Sequence, residues 1–349
     1  MNNNLFTKLK ISSRRLLGRL VYMYVYTSKK IKNTFQTSSQ HSSSKKHQKF
    51  FIFNNRRWRI MTIILALVFG VYYGLGAAIS SKINNQLHIE TKINTRKGQN
   101  TLSALAYVIK TQVDDQAWTP ALPLIFPAAV LDNLPNFQLG VKESANFFIK
   151  KLAKRYKDAN LKEAGELLDY SPDIWLFSQN KEDKLSPGSA KQYRKALALI
   201  ENALKAHPVY LEPTTKDFIY LLKSTDTLLS KKISALNRHI QEHFSETLDF
   251  RADDLFYSTQ GTAYTLHYLI SAIAKDYQTE ILAVEQYEEI TSVLKYLEEA
   301  TELSPVSVKN AAPNDVYASN HLIYLAYYLS QAQNHLQKIY YKTRLKVAE

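Results

Sequence analysis

The sequence predicts an all-α protein: a single N-terminal transmembrane helix followed by a multi-helix, bundle-like extracytoplasmic domain. Three observations carry this. An uncharged run, IMTIILALVFGVYYGLGAAIS, extends from Ile60 to Ser80. After it, apolar residues recur at spacings of three and four and almost never alternate. The charge is also divided. Of the 45 Lys and Arg, 14 lie in residues 1–60 with no acid among them, and the other 31 face all 31 Asp and Glu. The chain therefore falls into a basic tail at 1–59, an apolar helix at 60–80 and a neutral helical domain at 82–349.

This division decides what the net charge of +14 means. The excess belongs to the tail, so the folded part is no basic nucleic-acid-binding domain, and no nucleic-acid partner is expected. The absence of cysteine removes disulfides, thiol nucleophiles and thiolate metal sites.

In the tail, Leu5, Leu9, Leu16 and Leu20 fall on one helical stripe, with Lys8, Arg14, Arg15 and Arg19 elsewhere on the wheel. Residues 5–24 are thus read either as an amphipathic helix on anionic inner-leaflet lipids or as a topology signal without structure. An acid-free start of this kind also resembles a mitochondrial transit peptide. Asn33 to Lys49 is a Ser/Gln/His/Lys spacer, too polar to build a core.

Ile60–Ser80 meets the ~20 apolar residues that a helix needs to cross hydrocarbon. Arg56, Arg57 and Arg59 crowd its N-terminal side, and few basic residues follow it. Positive charge stays inside, which places the tail in the cytoplasm and residues 82–349 outside, the periplasm of a Gram-negative bacterium. Gly76-Ala77-Ala78 is a tolerable signal-peptidase site, but the leader before the run is far longer than a signal peptide's, so an uncleaved anchor is expected. Gly70 and Gly74 form a small-xxx-small pair that permits close helix packing.

Helices are expected at 100–116, 138–157, 160–169 and 189–206. A long helix follows through Phe218, Leu222, Leu229, Leu236 and Ile240, opened by Thr214-x-x-Asp217, a capping-box variant. Three more are marked by Leu255–Ile273, by Ala283, Tyr287, Ile290, Leu294, Leu297 and Thr301, and by Leu322–Ile339, the last entered through Ser319 or Asn320 as cap. Pro120, Pro123, Pro127 and Pro135 prevent Thr119–Asn136 from forming one helix. His207-Pro208 and Pro213 suggest a boundary near 209, but one helical domain with long connections is the preferred reading.

Several residues carry candidate chemistry. His239-Ile-Gln-Glu242-His243 spells H-x-x-E-H. His239 and His243 share a helix face and can hold Zn²⁺, with Glu242 as general base, but half-exposed surface histidines are the preferred reading and no third ligand is identified. Asp132, Asn133, Asn136 and Gln138 lie in a proline-broken apolar segment, where they either line a ligand groove or make turns and caps. Asn320 and His321 follow a polar loop with Asn310, Asn314 and Asp315, again either a site or a capping region. Asp253-Asp254 reads as a solvated helix face, because adjacent helical residues point ~100° apart. Ser258, Gly261, Thr262 and Ala263 read as close helix packing, with no strand or GK[ST] to make a phosphate loop.

Segments in order through most of residues 72–340 resemble a known group. They are Tyr72-Tyr73, LPLIFPAAVLDNLPNFQLG at 122–140, NLKEAGELLDY at 160–170, SAKQYRKAL at 189–197, DDLFYSTQGTAYTLHYLISAIAKDY at 253–277, SPVSVKNAAPN at 304–314 and SNHLIYLAYYL at 319–329. The chain resembles the bacterial domain of unknown function 2333 family, uncharacterised membrane-anchored proteins. The resemblance implies a single-pass inner-membrane protein with a helical periplasmic domain and supplies no catalytic residues. The H-x-x-E-H motif lies outside the resembling segments. The functional expectation is an envelope interaction or scaffolding module, not an enzyme, without cofactor, whose partners are the lipid bilayer and envelope proteins. The alternatives are a zinc-dependent periplasmic hydrolase using residues 239–243, and a lipid- or small-ligand-binding domain.

Overall fold

The computed structural model describes residues 55–80, 82–87, 98–129, 132–179, 185–206, 214–244, 249–312, 315 and 319–348. The expected amphipathic helix at 5–24, the spacer at 33–49 and the proline pair near 209 lie outside them. Residues 63–349 form one compact unit.

The regular secondary structure of the described residues is helical apart from one short antiparallel pair, β1 Phe177–Gln179 with β2 Leu185–Pro187, and an isolated bridge between Asn310 and Asn320. The first helix, α1, covers Asn55–Ser80, 26 residues. Its described side chains run from Ile60 to Gly76. Among the described residues, no helix is long and apolar enough to cross a membrane. Over that stretch every large apolar side chain except Tyr73 is exposed, on all sides of the helix.

The body follows. α2 is Asn100–Lys110, and the last turn of the helix expected at 100–116 widens to a π turn at Thr111–Asp115. α3 is Asn133–Tyr156, α4 Ala159–Leu168, α5 Ser189–Ala206, α6 Thr215–His243 and α7 Phe250–Asp276. α8 is Gln278–Ala283, α9 Tyr287–Glu302 and α10 His321–Ala348. Their starts are chemically marked. Asp158, Thr214 and Asp249 each accept a backbone N–H from the first turn of α4, α6 and α7. Asn320 does the same for α10, accepting from Ile323 N at 3.0 Å.

Two expectations are corrected. α3 begins at Asn133, five residues before the expected 138, with Pro135 inside its first turn. A proline there costs no helical hydrogen bond, because first-turn N–H groups have no partner in the helix. The helix expected from Ala283 is two, broken at Glu285, whose φ is 52°. Ala283 and Tyr287 sit four apart and mimic one stripe, yet both are exposed, and the buried stripe begins at Ile290.

α7 is the centre of the core. Residues 259–270 are buried without a break. α2, α3 and α9 pack against it, and α10 lies across α6 and α9. The α3–α7 contact is backbone on backbone. A Cβ at Gly140 would fall 1.9 Å from the Ser258 carbonyl oxygen, and one at Gly261 would fall 2.2 Å from that of Phe137. Ser144 Oγ donates to Thr262 Oγ1 at 3.0 Å across the same crossing. The small residues at 258–263 therefore do what their composition predicted.

The end of α7 organises α2. Buried Asp276 accepts from Gly98 N, Asn100 N and Nδ2, and Thr101 N and Oγ1, at 2.7–3.2 Å. A carboxylate at a helix N-terminus satisfies orphan donors and complements the dipole together.

Candidate functional site

The polar residues singled out in sequence come from three distant segments, and most of them meet at the N-terminal end of α7. Asp249 caps that helix, and its Oδ2 lies 2.6 Å from His239 Nε2 on the last turns of α6. Burial would raise Asp249, but the hydrogen bonds from His239, Ala252 N and Asn310 outweigh it and hold the carboxyl below its usual range. Asn310 Nδ2 reaches the His239 carbonyl at 3.5 Å, and Asn320 Nδ2 donates to Asn310 Oδ1 at 2.8 Å. The loop before α10 is thereby fastened to α6 and α7.

This geometry changes the reading of H-x-x-E-H. The His239 and His243 rings share a face, 4.7 Å between centroids. His239 Nε2 is engaged by Asp249, and His243 Nδ1 lies 3.0 Å from the Arg251 guanidinium. Glu242 is exposed and stands 3.8 Å from His243 Nε2. A metal bound here by His239 Nε2 would first displace Asp249. Among the described residues no group of three or more His, Asp or Glu is arranged to hold a metal ion.

One turn further along α7, Asp253 and Asp254 face Asp132, the residue preceding α3. Asn136 Nδ2 donates to Asp254 Oδ1 at 2.6 Å. Burial, then the neighbouring Asp132 and Asp254, push Asp253 up to about 7. Burial and Asp132 raise Asp254 as well, against the Asn136 hydrogen bond. Tyr257, below them, is raised to about 12 by burial and by Asp253 and Asp132. Expecting Asp253 and Asp254 on a solvated helix face is corrected for Asp253, which is part-buried. The third carboxyl of the group, Asp132, stands at the start of another helix, so adjacency along α7 did not reveal it. Like charges in a partly desolvated place share protons or take up a cationic group.

The remaining residues lie elsewhere or play other parts. Gln138 is buried and clamps the proline segment. Its Oε1 accepts from Thr119 N and Oγ1, and its Nε2 donates to the carbonyls of Gln112 and Ala117. Asn133 is a half-buried first-turn residue of α3. His321 Nδ1 accepts from Lys309 N at 3.0 Å, and burial, followed by the Lys309 charge, lowers its pKa.

Lys232 was not singled out. It is buried between α3 and α7, with Nζ 3.4 Å from Ser258 Oγ and 3.8 Å from Glu143 Oε2, and burial lowers its pKa despite the Glu143 charge. Its signal was present: the spacing Thr225, Leu229, Lys232, Leu236 puts a lysine on the buried stripe.

No family model, curated protein or solved structure matches this chain.

Proposed function

We propose that this is a single-pass bacterial inner-membrane protein, related to the family its segments resemble, whose periplasmic helical body is an interaction or scaffolding module of the cell envelope. The observation that carries the anchor is the surface of α1. Ile63, Ile64, Leu65, Leu67, Val68, Phe69 and Val71 are each more than half exposed and leave no polar face. A helix apolar all round needs a protein interior or lipid around it. At ~1.5 Å per residue the described side chains, Ile60–Gly76, cover ~26 Å, and the uncharged run, which continues to Ser80, covers ~32 Å, about the ~30 Å of the hydrocarbon layer. The arginine collar orients it with the tail in the cytoplasm, beside anionic inner-leaflet lipids.

The scaffolding role rests on how the polar residues of the body are used. Asp276, Asp249, Asn320 and Gln138 are spent on capping and clamping helices. Such a body offers a stiff surface at a fixed place on a membrane. Crosslinking in intact cells followed by affinity capture of the full chain tests this. Partners enriched above an anchor-and-tail control are expected, and capture indistinguishable from that control would sink the reading.

A second reading is favoured by one observation, the crowding of Asp132, Asp253 and Asp254. It is capture of a small cationic ligand at the start of α7. Native mass spectrometry of the detergent-solubilised chain should then show a bound cation that Asp253→Asn releases. Metal analysis of the same sample tests the zinc alternative at residues 239–243.

A further inference from the structure

Beside α1 the body exposes a second apolar surface, built from two segments far apart in sequence. Residues 116–131, QAWTPALPLIFPAAVL, carry no charge, and neither do Ile174–Asn180, IWLFSQN. Leu124 and Ile125 are 75% and 62% exposed, and Leu176 and Phe177 are 58% and 64% exposed. The Phe126 and Trp175 rings meet edge to face at 5.5 Å, which joins the two segments into one patch.

The segments are rigidly held. Trp118 Nε1 donates to the Pro172 carbonyl at 2.8 Å and packs on Tyr193. Ser189 Oγ is bonded to Ile174 N and to the Ser171 carbonyl. Gly188 lies so close to Trp175 that a Cβ would fall 2.2 Å from its carbonyl oxygen. Exposed leucines and aromatics on a fixed scaffold have a standing cost in water that a covering surface removes.

The patch is also tied to α1. Tyr72 OH donates to the Ile125 carbonyl and Tyr73 OH to the Leu124 carbonyl, each at 3.2 Å. Gly76 packs on Pro127, where a Cβ would come within 2.7 Å. Tyr72 and Tyr73 stand about two turns, ~11 Å, before the end of α1, so with α1 across the bilayer as proposed the loop bonded to them would lie at the depth of the outer leaflet. The two hydroxyls satisfy the carbonyls of the two most exposed loop residues, which backbone entering a lipid boundary requires.

We infer that Leu124-Ile125 and Trp175-Leu176-Phe177 dip into the periplasmic leaflet of the bilayer that α1 crosses, giving the body a second, monotopic hold on the membrane. Two holds fix the orientation of the body where one flexible tether would not. The occupant is lipid because the patch is uncharged, rich in aromatic residues and continuous with the apolar surface of α1. The inference rests on the anchor reading above.

The chain has no cysteine, so single cysteines can be placed in the full-length protein without background. Leu67→Cys, Leu124→Cys, Leu176→Cys and, as a water reference, Thr227→Cys would be spin-labelled and reconstituted in phosphatidylethanolamine–phosphatidylglycerol vesicles. Collision with oxygen reports lipid, and collision with a water-soluble nickel chelate reports solvent. Labels at 67, 124 and 176 should be rich in oxygen and shielded from nickel, with the reverse at 227. Lipid exposure at 67 with nickel exposure at 124 or 176 would overturn the inference and leave the anchor standing, the patch then being open to a protein. Nickel exposure at 67 would remove the anchor reading and the inference together. Leu124 and Leu176 are surface residues, so their replacement leaves the core intact.

Discussion

α1 and α7 both lack a continuous polar face, and they end in opposite surroundings. α1 exposes its apolar side chains on every side, whereas α7 is enclosed by α2, α3 and α9. The difference lies in their polar atoms. From Ile60 to Gly76, α1 offers only Thr62 and two tyrosine hydroxyls, and those hydroxyls are spent on Leu124 and Ile125 carbonyls. α7 buries Thr259, Gln260, Thr262, Thr265 and His267 in its middle turns. Gln260 donates to the carbonyls of Thr301 and Leu303, and Thr265 to that of Gly261. A protein interior can hold polar groups where it supplies fixed partners, as it does for Gln260, Thr262 and Thr265. Lipid, which the proposed function places around α1, supplies none, and a helix bound for it would omit them.

Glycine substitutions break this comparison most sharply. Gly261→Leu drives a side chain into the α3 backbone and should cost more than about 3 kcal/mol, read as a large fall in melting temperature. Gly70→Leu, on α1, meets nothing within 4 Å and should leave the melting temperature of the body unchanged. Equal losses at both positions would mean that α1 packs like a core helix.

A charge in α1 is next. Leu67→Arg should weaken membrane insertion by about 3 kcal/mol. Release of the variant into the supernatant on alkaline carbonate extraction, with the natural chain retained in the pellet, is the expected result.

The buried histidine of α7 sharpens the contrast through pH. Burial lowers His267 to about 4 from an ordinary 6.5, and Nδ1 has no partner among the described residues. The unfolded chain therefore binds more protons than the folded one between those values. Its contribution is fully present above about 6.5, falls as the pH drops and is lost by about 4, amounting to roughly 3 kcal/mol. His267→Phe should flatten the acid limb of the stability profile, measured by urea unfolding from pH 4 to 8.

Asp253 works in the other direction with a smaller effect. Its folded carboxyl holds a proton up to about 7, above the unfolded 3.8, so it loses stability as the pH rises through that window. Asp253→Asn should gain about 1 kcal/mol at pH 8, after discounting for its partial exposure, and little at pH 4. An unchanged profile would show that Asp132 and Asp254 do not crowd it.

Much of the helical framework was legible in sequence where local chemistry marks it. Thr214 caps the helix it was expected to cap, Asn320 is the one of the two expected caps, Ser319 or Asn320, that does so, and α5 begins and ends where its periodicity does. The failures share one cause. Ala283 and Tyr287 continued a spacing across a break that only the backbone at Glu285 reveals. Asp253 looked solvated because Asp132, more than a hundred residues away in the chain, could not be placed beside it. The bond between His239 and Asp249 was equally out of reach, because Asp249 fits no motif.

Sequence by itself determined the all-helical class, the uncharged run of α1, the separation of the basic tail from a neutral body and the close-packing role of residues 258–263. These follow from short-range rules, in which spacing, capping and charge act within a few turns. Only the tertiary structure decided which polar residues meet. It set Asp249 against His239, Gln138 under the proline loop, Asp276 on the start of α2, and Phe126 against Trp175. Those contacts join helices brought together by burial of the faces between them, and no local pattern encodes the residue that will stand opposite.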